Sequence, residues 1–176
     1  MGLYFSSSPT PRSDAIVTLV CDDSFVVAAA ALLRSLTAVN SDLPVVCLVL
    51  DGALSPSSYD ALAYSGCTVL TVTPLPGLAA TQHACYFLKL RAWSLTQYRR
   101  VLFLDADIIA TKNMDHVVRT SEDDRLYVVT TCYHGPPPMP CQGGRGIFNS
   151  GVMVLTPNAT VFSDMVTAPN PRSEVV

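Results

Sequence analysis

The 176-residue sequence predicts an α/β domain with a mostly parallel central sheet and helices on both faces. Apolar runs of strand length alternate with helix-patterned segments, which is the order expected of βαβ units. One run, Val101-Leu102-Phe103-Leu104, is wholly apolar and bounded by charged residues, as a central strand covered on both sides should be. Hydrophobic residues make up 49% of the chain and charged ones 14%. A chain of this length buries on the order of 70% of its unfolded surface, so a core forms without a disulfide or metal staple. The expected organisation is a flexible segment 1–14, one domain over 15–167 and an irregular tail 168–176.

The first strand is Ala15 to Cys21, and Asp22-Asp23-Ser24 supplies an N-cap for a helix to about Val39. Residues 40–44 end that helix, and a second strand runs from Val45 to Leu50. Ser55-Pro56 starts a helix to about Ser65, because serine caps and proline suits the first helical position, and Gly66 stops it. Cys67 to Val72 is a third strand, followed by a Pro- and Gly-bearing loop from Thr73 to Thr81. His83 to Gln97 reads as a helix, with Ala84, Leu88, Ala92 and Leu95 on the stripe facing the sheet and Lys89 and Trp93 on another face. After Val101–Leu104 come Asp105-Ala106-Asp107 and a helix-like Met114 to Arg119. Leu126 to Thr131 is a strand, Cys132 to Gly146 a long loop of the kind kept for binding, and Ile147 to Leu155 the sixth strand. Thr156-Pro157 opens a last helix to about Val166.

Composition narrows the function. A net charge of −3 with only two lysines excludes nucleic-acid binding and a polybasic membrane anchor, which leaves small molecules as the default partners. The longest apolar run, Phe25 to Leu33, has nine residues against the ~20 that span a bilayer, so no transmembrane segment is expected. The N-terminus shows no signal-peptide pattern, and a cytoplasmic location follows. Six cysteines (Cys21, Cys47, Cys67, Cys85, Cys132, Cys141) occur without a CxxC pair and read as reduced core thiols. Met1-Gly2 with Ser6 fits the myristoylation template and Asn158-Ala159-Thr160 the glycosylation sequon; the two imply opposite compartments.

Asp105 and Asp107 carry the chemistry. At i and i+2 past the end of a buried strand, they project to one side of an extended chain, where open α/β sheets bind ligands. Two partly desolvated carboxylates must take a proton or find a cation, and an all-oxygen site suits Mn²⁺ or Mg²⁺. Such ions fill their remaining positions with water and substrate phosphates, which points to a diphosphate. A competing reading, a phosphotransferase of the haloacid dehalogenase type with the first Asp as nucleophile, needs the pair early in the chain and a distant lysine. Here Lys112 is the only lysine after Asp107, five residues on.

Three separated stretches, in order, resemble family 8 glycosyltransferases, glycogenin and its relatives: Ala15-Ile-Val-Thr-Leu, Phe87-Leu-Lys-Leu-Arg-Ala-Trp-Ser-Leu-Thr-Gln-Tyr-Arg-Arg-Val-Leu-Phe-Leu-Asp-Ala-Asp, and Phe148-Asn-Ser-Gly-Val-Met-Val-Leu-Thr-Pro-Asn. The resemblance covers about Ala15 to Val166. It implies a GT-A type, Rossmann-like nucleotide-sugar transferase fold and a retaining transfer of a hexose, glucose foremost, from a UDP-sugar with Mn²⁺ or Mg²⁺. By the same resemblance Asp107 and Asp105 ligate the metal, Asp105 and Ala106 approach the ribose, and Lys89 stands beside the diphosphate or sugar as the second catalytic group with Asp107. Asn149 and Ser150 hydrogen-bond the sugar, with Gly151 permitting close backbone approach. Leu19, Cys21, Asp22 and Phe25 surround the uracil and ribose.

The chain departs from the family there, where Thr, Asn and Tyr are common; Phe25 still stacks but loses a hydroxyl. No arginine lies between Arg34 and Arg91, and the family's Asp-Gln-Gly and late His-x-x-Gly-x-x-Lys-Pro-Trp segments are absent. The expectation is therefore a C-terminally abbreviated member, with a non-catalytic module that retains weak metal and UDP-sugar binding as the alternative. The acceptor, whether glycan, protein or small molecule, is left open, and the glycogenin branch makes a homodimer an expectation.

Overall fold

The computed structural model describes residues 12–76, 84–131 and 147–168. Six strands form one sheet: β1 (Ala15–Val20), β2 (Val45–Leu50), β3 (Thr68–Val72), β4 (Val101–Leu104), β5 (Tyr127–Thr131) and β6 (Ile147–Leu155), in the order β3-β2-β1-β4-β6-β5. Pairings β1/β2, β2/β3 and β1/β4 are parallel, while β6 runs antiparallel to both β4 and β5. The sheet is thus mostly parallel, as the sequence predicts. The expected segment 1–14 falls mainly on residues outside the described ones, as do much of the expected loop Thr73 to Thr81, the start of the expected helix at His83, the expected loop Cys132 to Gly146 and most of the tail 168–176.

Helices cover both faces. On one, α1 (Val26–Ala38), α2 (Pro56–Tyr64) and the short α4 (Asp115–Thr120) pack Leu32, Leu33, Leu36, Leu62 and Val118 onto Ile16, Val20, Cys47, Val49, Leu102 and Leu104. On the other, Leu88, Ala92 and Leu95 bury against Val17, Leu48, Val101 and Phe103, with Phe162 and Val166 of α5 (Ala159–Thr167) at the edge. Phe103 is fully buried, as its place in a continuous apolar strand requires, and each such side chain contributes roughly 1.5–3 kcal/mol.

The helix starts differ from expectation in instructive ways. Asp22 caps a single 3-10 turn, Asp23–Phe25, and α1 begins one turn later at Val26. Ser55 precedes α2, but its side chain makes no cap; its backbone N–H donates to Asp23 Oδ1 at 2.9 Å, so the two helix starts are tied together. Helix α5 starts at Ala159 rather than at Pro157, because Asn158 Oδ1 accepts from the N–H groups of Thr160 and Val161. The asparagine of the sequon is therefore a helix cap. Gly66, at φ +94, ends α2 as expected.

The expected helix from His83 to Gln97 is a four-residue α3 (Ala84–Phe87) continuing as a 3-10 segment over Leu88–Ser94. The predicted stripe holds: Leu88, Ala92 and Leu95 are buried, whereas the side chain of Ala84 lies outside the described ones. The tighter winding accompanies side chains anchored to opposite flanks, Lys89 to Asp105 and Arg91 to the carbonyl of Thr73.

The cysteine reading needs correction. Cys21 and Cys85 form a disulfide, with Cα atoms 5.6 Å apart across 64 residues of sequence. Neither position carries a spacing signal, because the bridge joins residues that only the sheet brings together. Cys47 and Cys67 are free and buried, as predicted; Cys67 Sγ donates to the Leu62 carbonyl, and hydrogen bonding to Cys67, with burial, pushes the Cys47 thiol up, so it stays protonated. Cys132 and Cys141 lie outside the described residues. A disulfide is characteristic of oxidising compartments, so cysteine usage no longer supports a cytoplasmic location. Among the described residues, no helix is long and apolar enough to cross a membrane.

Candidate active site

The parallel strands β1 and β4 end side by side, and a cavity of about 260 Å³ opens at their carboxyl ends. Its lining is Leu19, Cys21, Phe25, Tyr86, Lys89, Asp105, Ala106 and Asp107. Open α/β sheets place ligands at this edge because successive strand ends and loops converge there.

Asp105 directly follows β4. Its N–H donates to the Gly151 carbonyl of β6 at 2.8 Å, and its own carbonyl accepts from Ile108 N–H at 3.2 Å. Residues 105–107 are therefore a turn and not the extended stretch expected from the sequence. Both aspartates line the cavity, as does Ala106 between them, which is also buried against the α1 side of the sheet.

Lys89 neutralises Asp105. Its ammonium lies 2.7 Å from Asp105 Oδ1 and 3.0 Å from Oδ2, and it donates to Ser150 Oγ at 3.3 Å. It also stands 5.6 Å from the centre of the Phe103 ring. The cation that the sequence requires for two partly desolvated carboxylates is thus supplied at Asp105 by a side chain of the protein. Asp107 is exposed and has no hydrogen-bond or ion-pair partner among the described residues.

Strand β6 is shaped to serve this corner. Val128 of β5 faces Met153, yet the next residue, Val129, faces Asn149, so residues 150–152 bulge out of the β5 ladder. There β6 turns to β4, where Val152 pairs with Leu104 and Gly151 accepts from Asp105. Bulges recur beside binding sites because they re-aim side chains in this way. Asn149 Oδ1 accepts from Gly151 N–H at 2.7 Å, and a Cβ on Gly151 would sit 2.9 Å from both Asn149 Oδ1 and Asp105 Oδ2. The glycine is what lets the two side chains and the strand meet.

Of the sequence-predicted residues, Leu19, Cys21, Phe25, Lys89, Asp105, Ala106 and Asp107 share the cavity, and Ser150 joins them through Lys89. Asn149 touches the corner through Gly151 and does not line the cavity itself. Asp22 also lies off the lining, its Oδ1 accepting from Ser24 N–H at 2.8 Å. Sequence reasoning missed Tyr86, a half-exposed aromatic three residues before Lys89, whose i,i+3 spacing was the available signal. It also gave Cys21 a free thiol where a disulfide stands. Among the described residues no group of three or more His, Cys, Asp or Glu side chains clusters as a metal cage.

The chain is 29% identical over 170 residues to UDP-glucuronate:xylan alpha-glucuronosyltransferase 2 of Arabidopsis thaliana, covering 94% of this chain and 25% of that protein. It is 26% identical over 166 residues to Glycogenin-1 of Caenorhabditis elegans, covering 88% of this chain and 34% of that one. In fold it is similar to the crystal structure of the galactosyltransferase LgtC in complex with donor and acceptor sugar analogs, with a TM-score of 0.60 at 19% identity over 81% of this chain and 57% of that one. The chain spans about a quarter of the length of the first of these relatives. The model of glycosyl transferase family 8 matches residues 16–163, and the chain belongs to that family of glycosyltransferases.

Proposed function

We propose that the cavity is the donor site of a retaining transferase that moves a hexose from a UDP-sugar to an acceptor. The observation that carries the reading is the convergence of Asp105, Asp107 and Lys89 on one cavity at the carboxyl ends of β1 and β4.

Phe25 and Leu19 offer an apolar surface to the uracil, and Asp105 and Asp107 present hard oxygen ligands to Mn²⁺ or Mg²⁺. Exposed, unshared oxygens on Asp107 fit an ion that keeps water and diphosphate in its other positions. When bound, such an ion supplies positive charge to the diphosphate as it leaves. Lys89 holds its ammonium between Asp105 and Ser150 and donates to the diphosphate or to the sugar next to it. Gly151 holds Asn149 and Asp105 in register, which fixes the side of the site that meets the hexose. Fixed donors and charges of this kind stabilise a transition state because they need no rearrangement as the bond breaks.

A second reading, donor binding without transfer, is favoured by the Lys89–Asp105 pair: with this ammonium already shared by a carboxylate, less charge is left for the leaving group. One assay separates the two. The protein is saturated with Mn²⁺ and screened for thermal stabilisation by UDP-glucose, UDP-galactose and UDP-glucuronate, the last because it stands in the name of a relative. UDP release is then followed with the best stabiliser. Stabilisation with UDP release above background supports transfer chemistry, stabilisation alone supports the second reading, and no stabilisation by any donor ends both.

A further inference from the structure

The link from β6 to α5, Thr156-Pro157-Asn158, borders a second cavity of about 450 Å³. Trp93, Leu126, Asn158 and Val161 line it, together with Asp124 and Arg125. It lies away from the donor cavity: Leu155 at the end of β6 pairs with Val101 at the start of β4, whereas Asp105 follows the end of β4. Asn158 opens Asn158-Ala159-Thr160, the one Asn-x-Ser/Thr sequon of the chain, and all three residues are exposed. Its backbone N–H donates to the Trp93 carbonyl at 2.8 Å, and its Oδ1 accepts from the N–H groups of Thr160 and Val161. Its Nδ2 has no hydrogen-bond partner among the described residues. The amide is thus fixed by its oxygen at the edge of an aromatic groove, with its nitrogen open to substitution. Apolar surface waits beside it, since Leu126 is 48% and Val161 40% exposed. The Cys21–Cys85 bridge is an independent observation: disulfides form in oxidising compartments such as the lumen of the endoplasmic reticulum, where sequon asparagines receive glycans.

We propose that Asn158 carries an N-linked oligosaccharide whose first sugar ring packs in this groove on Trp93 and Val161. The step takes a lipid diphosphate-linked oligosaccharide as co-substrate and a lumenal transferase. A C–N bond forms between the anomeric carbon and Nδ2, the C–O bond to the diphosphate breaks, and the amide gives up one proton as the lipid diphosphate leaves. Oδ1 is untouched, so both cap bonds to α5 persist, and Nδ2 keeps one N–H. The groove suits a pyranose, which has an apolar C–H face for the indole and hydroxyls for the polar side chains of Asp124 and Arg125. At the far end of β4, the glycan leaves the donor cavity open.

The test routes the full chain into the endoplasmic reticulum of a eukaryotic host with an appended signal peptide and reads its intact mass before and after peptide-N-glycosidase. Wild type should carry one oligosaccharide that the enzyme removes. Asn158→Asp, which keeps a capping oxygen, and Thr160→Ala should each lack it, and Thr160→Ser should retain it. Trp93 is the one tryptophan of the chain, so quenching of its fluorescence by acrylamide reads the groove. Quenching should be weaker in glycosylated wild type and stay weaker after an endoglycosidase trims the glycan to its first sugar. The peptide-N-glycosidase product and Asn158→Asp should both lose that protection. A folded wild-type chain with the Cys21–Cys85 bridge formed and no glycan overturns the modification. A glycan whose removal leaves the quenching of Trp93 unchanged overturns its place in the groove.

Discussion

Gly151→Ala isolates the geometry of the site from the stability of the sheet. A Cβ there would lie 2.9 Å from Asn149 Oδ1 and from Asp105 Oδ2, against the 3.4 Å at which ordinary contact begins, so each oxygen must retreat by about 0.5 Å. Backbone strain plays no part, since Gly151 sits in β6 without a positive φ. The movement falls on the two groups that meet at the corner: the Asn149 bond to Gly151 N–H and the two-oxygen pairing of Asp105 with Lys89. Overpacking of this size costs about 1–3 kcal/mol, a loss of roughly 2–8 °C in Tm for a chain of this length. Displacing a group that orients a metal ligand costs about 10- to 100-fold in metal-dependent affinity. Calorimetric titration of UDP with Mn²⁺ reads the second effect and a melting curve the first. Gly66→Ala is the control: φ is +94 with nothing within 4 Å, so alanine strains the backbone at the end of α2 and leaves the cavity alone. The reasoning is refuted if Gly151→Ala binds UDP as the wild type does, or if Gly66→Ala loses as much affinity.

Three further outcomes follow from the same contacts. Phe25→Ala should weaken UDP binding by about 1–3 kcal/mol, or roughly 5- to 150-fold, in the same calorimetric titration while Tm stays within a few degrees, because the half-exposed ring leaves little core behind. Leu32→Ala should lower stability by about 2–5 kcal/mol in urea denaturation, since Leu32 is fully buried between α1 and the sheet. Burial opposes ionisation of Asp115, but hydrogen bonds from Ser41, the Asp42 N–H and Asn113 outweigh it and hold the carboxyl below its ordinary value. That stabilisation is present above the ordinary carboxylate range and is lost as pH falls through the lowered folded value, so Tm of the wild type should drop below about pH 4 and Asp115→Asn should flatten that drop.

Periodicity and strand-length apolar runs made the sheet legible, down to the bounds of β2, β4 and β6, because burial on both faces leaves long uninterrupted signals. Asp105 and Asp107 were legible too, at the end of an apolar strand, while it was the resemblance to the family that put Lys89 and Phe25 with them, and all four line one cavity. What escaped was set by tertiary contact. No local pattern states that Cys21 and Cys85 meet, 64 residues apart, or that the Asp105–Asp107 stretch turns instead of extending. The helix start at Asn158 went unseen because Pro157 is a stronger one-dimensional signal than a cap whose worth lies in two hydrogen bonds to the following turn. Lys89 was read as a cation for the substrate, whereas in the folded chain it first satisfies Asp105, a balance that depends on the distance between two elements.

The central claim is that Asp105 and Asp107 together hold a divalent ion that grips a diphosphate. Its most direct measurement is a calorimetric titration of UDP into wild type and Asp107→Asn, each with Mn²⁺ and with chelator. The account predicts that Mn²⁺ strengthens UDP binding to the wild type at least tenfold and does little for Asp107→Asn. Equal UDP affinity in all four titrations would contradict it.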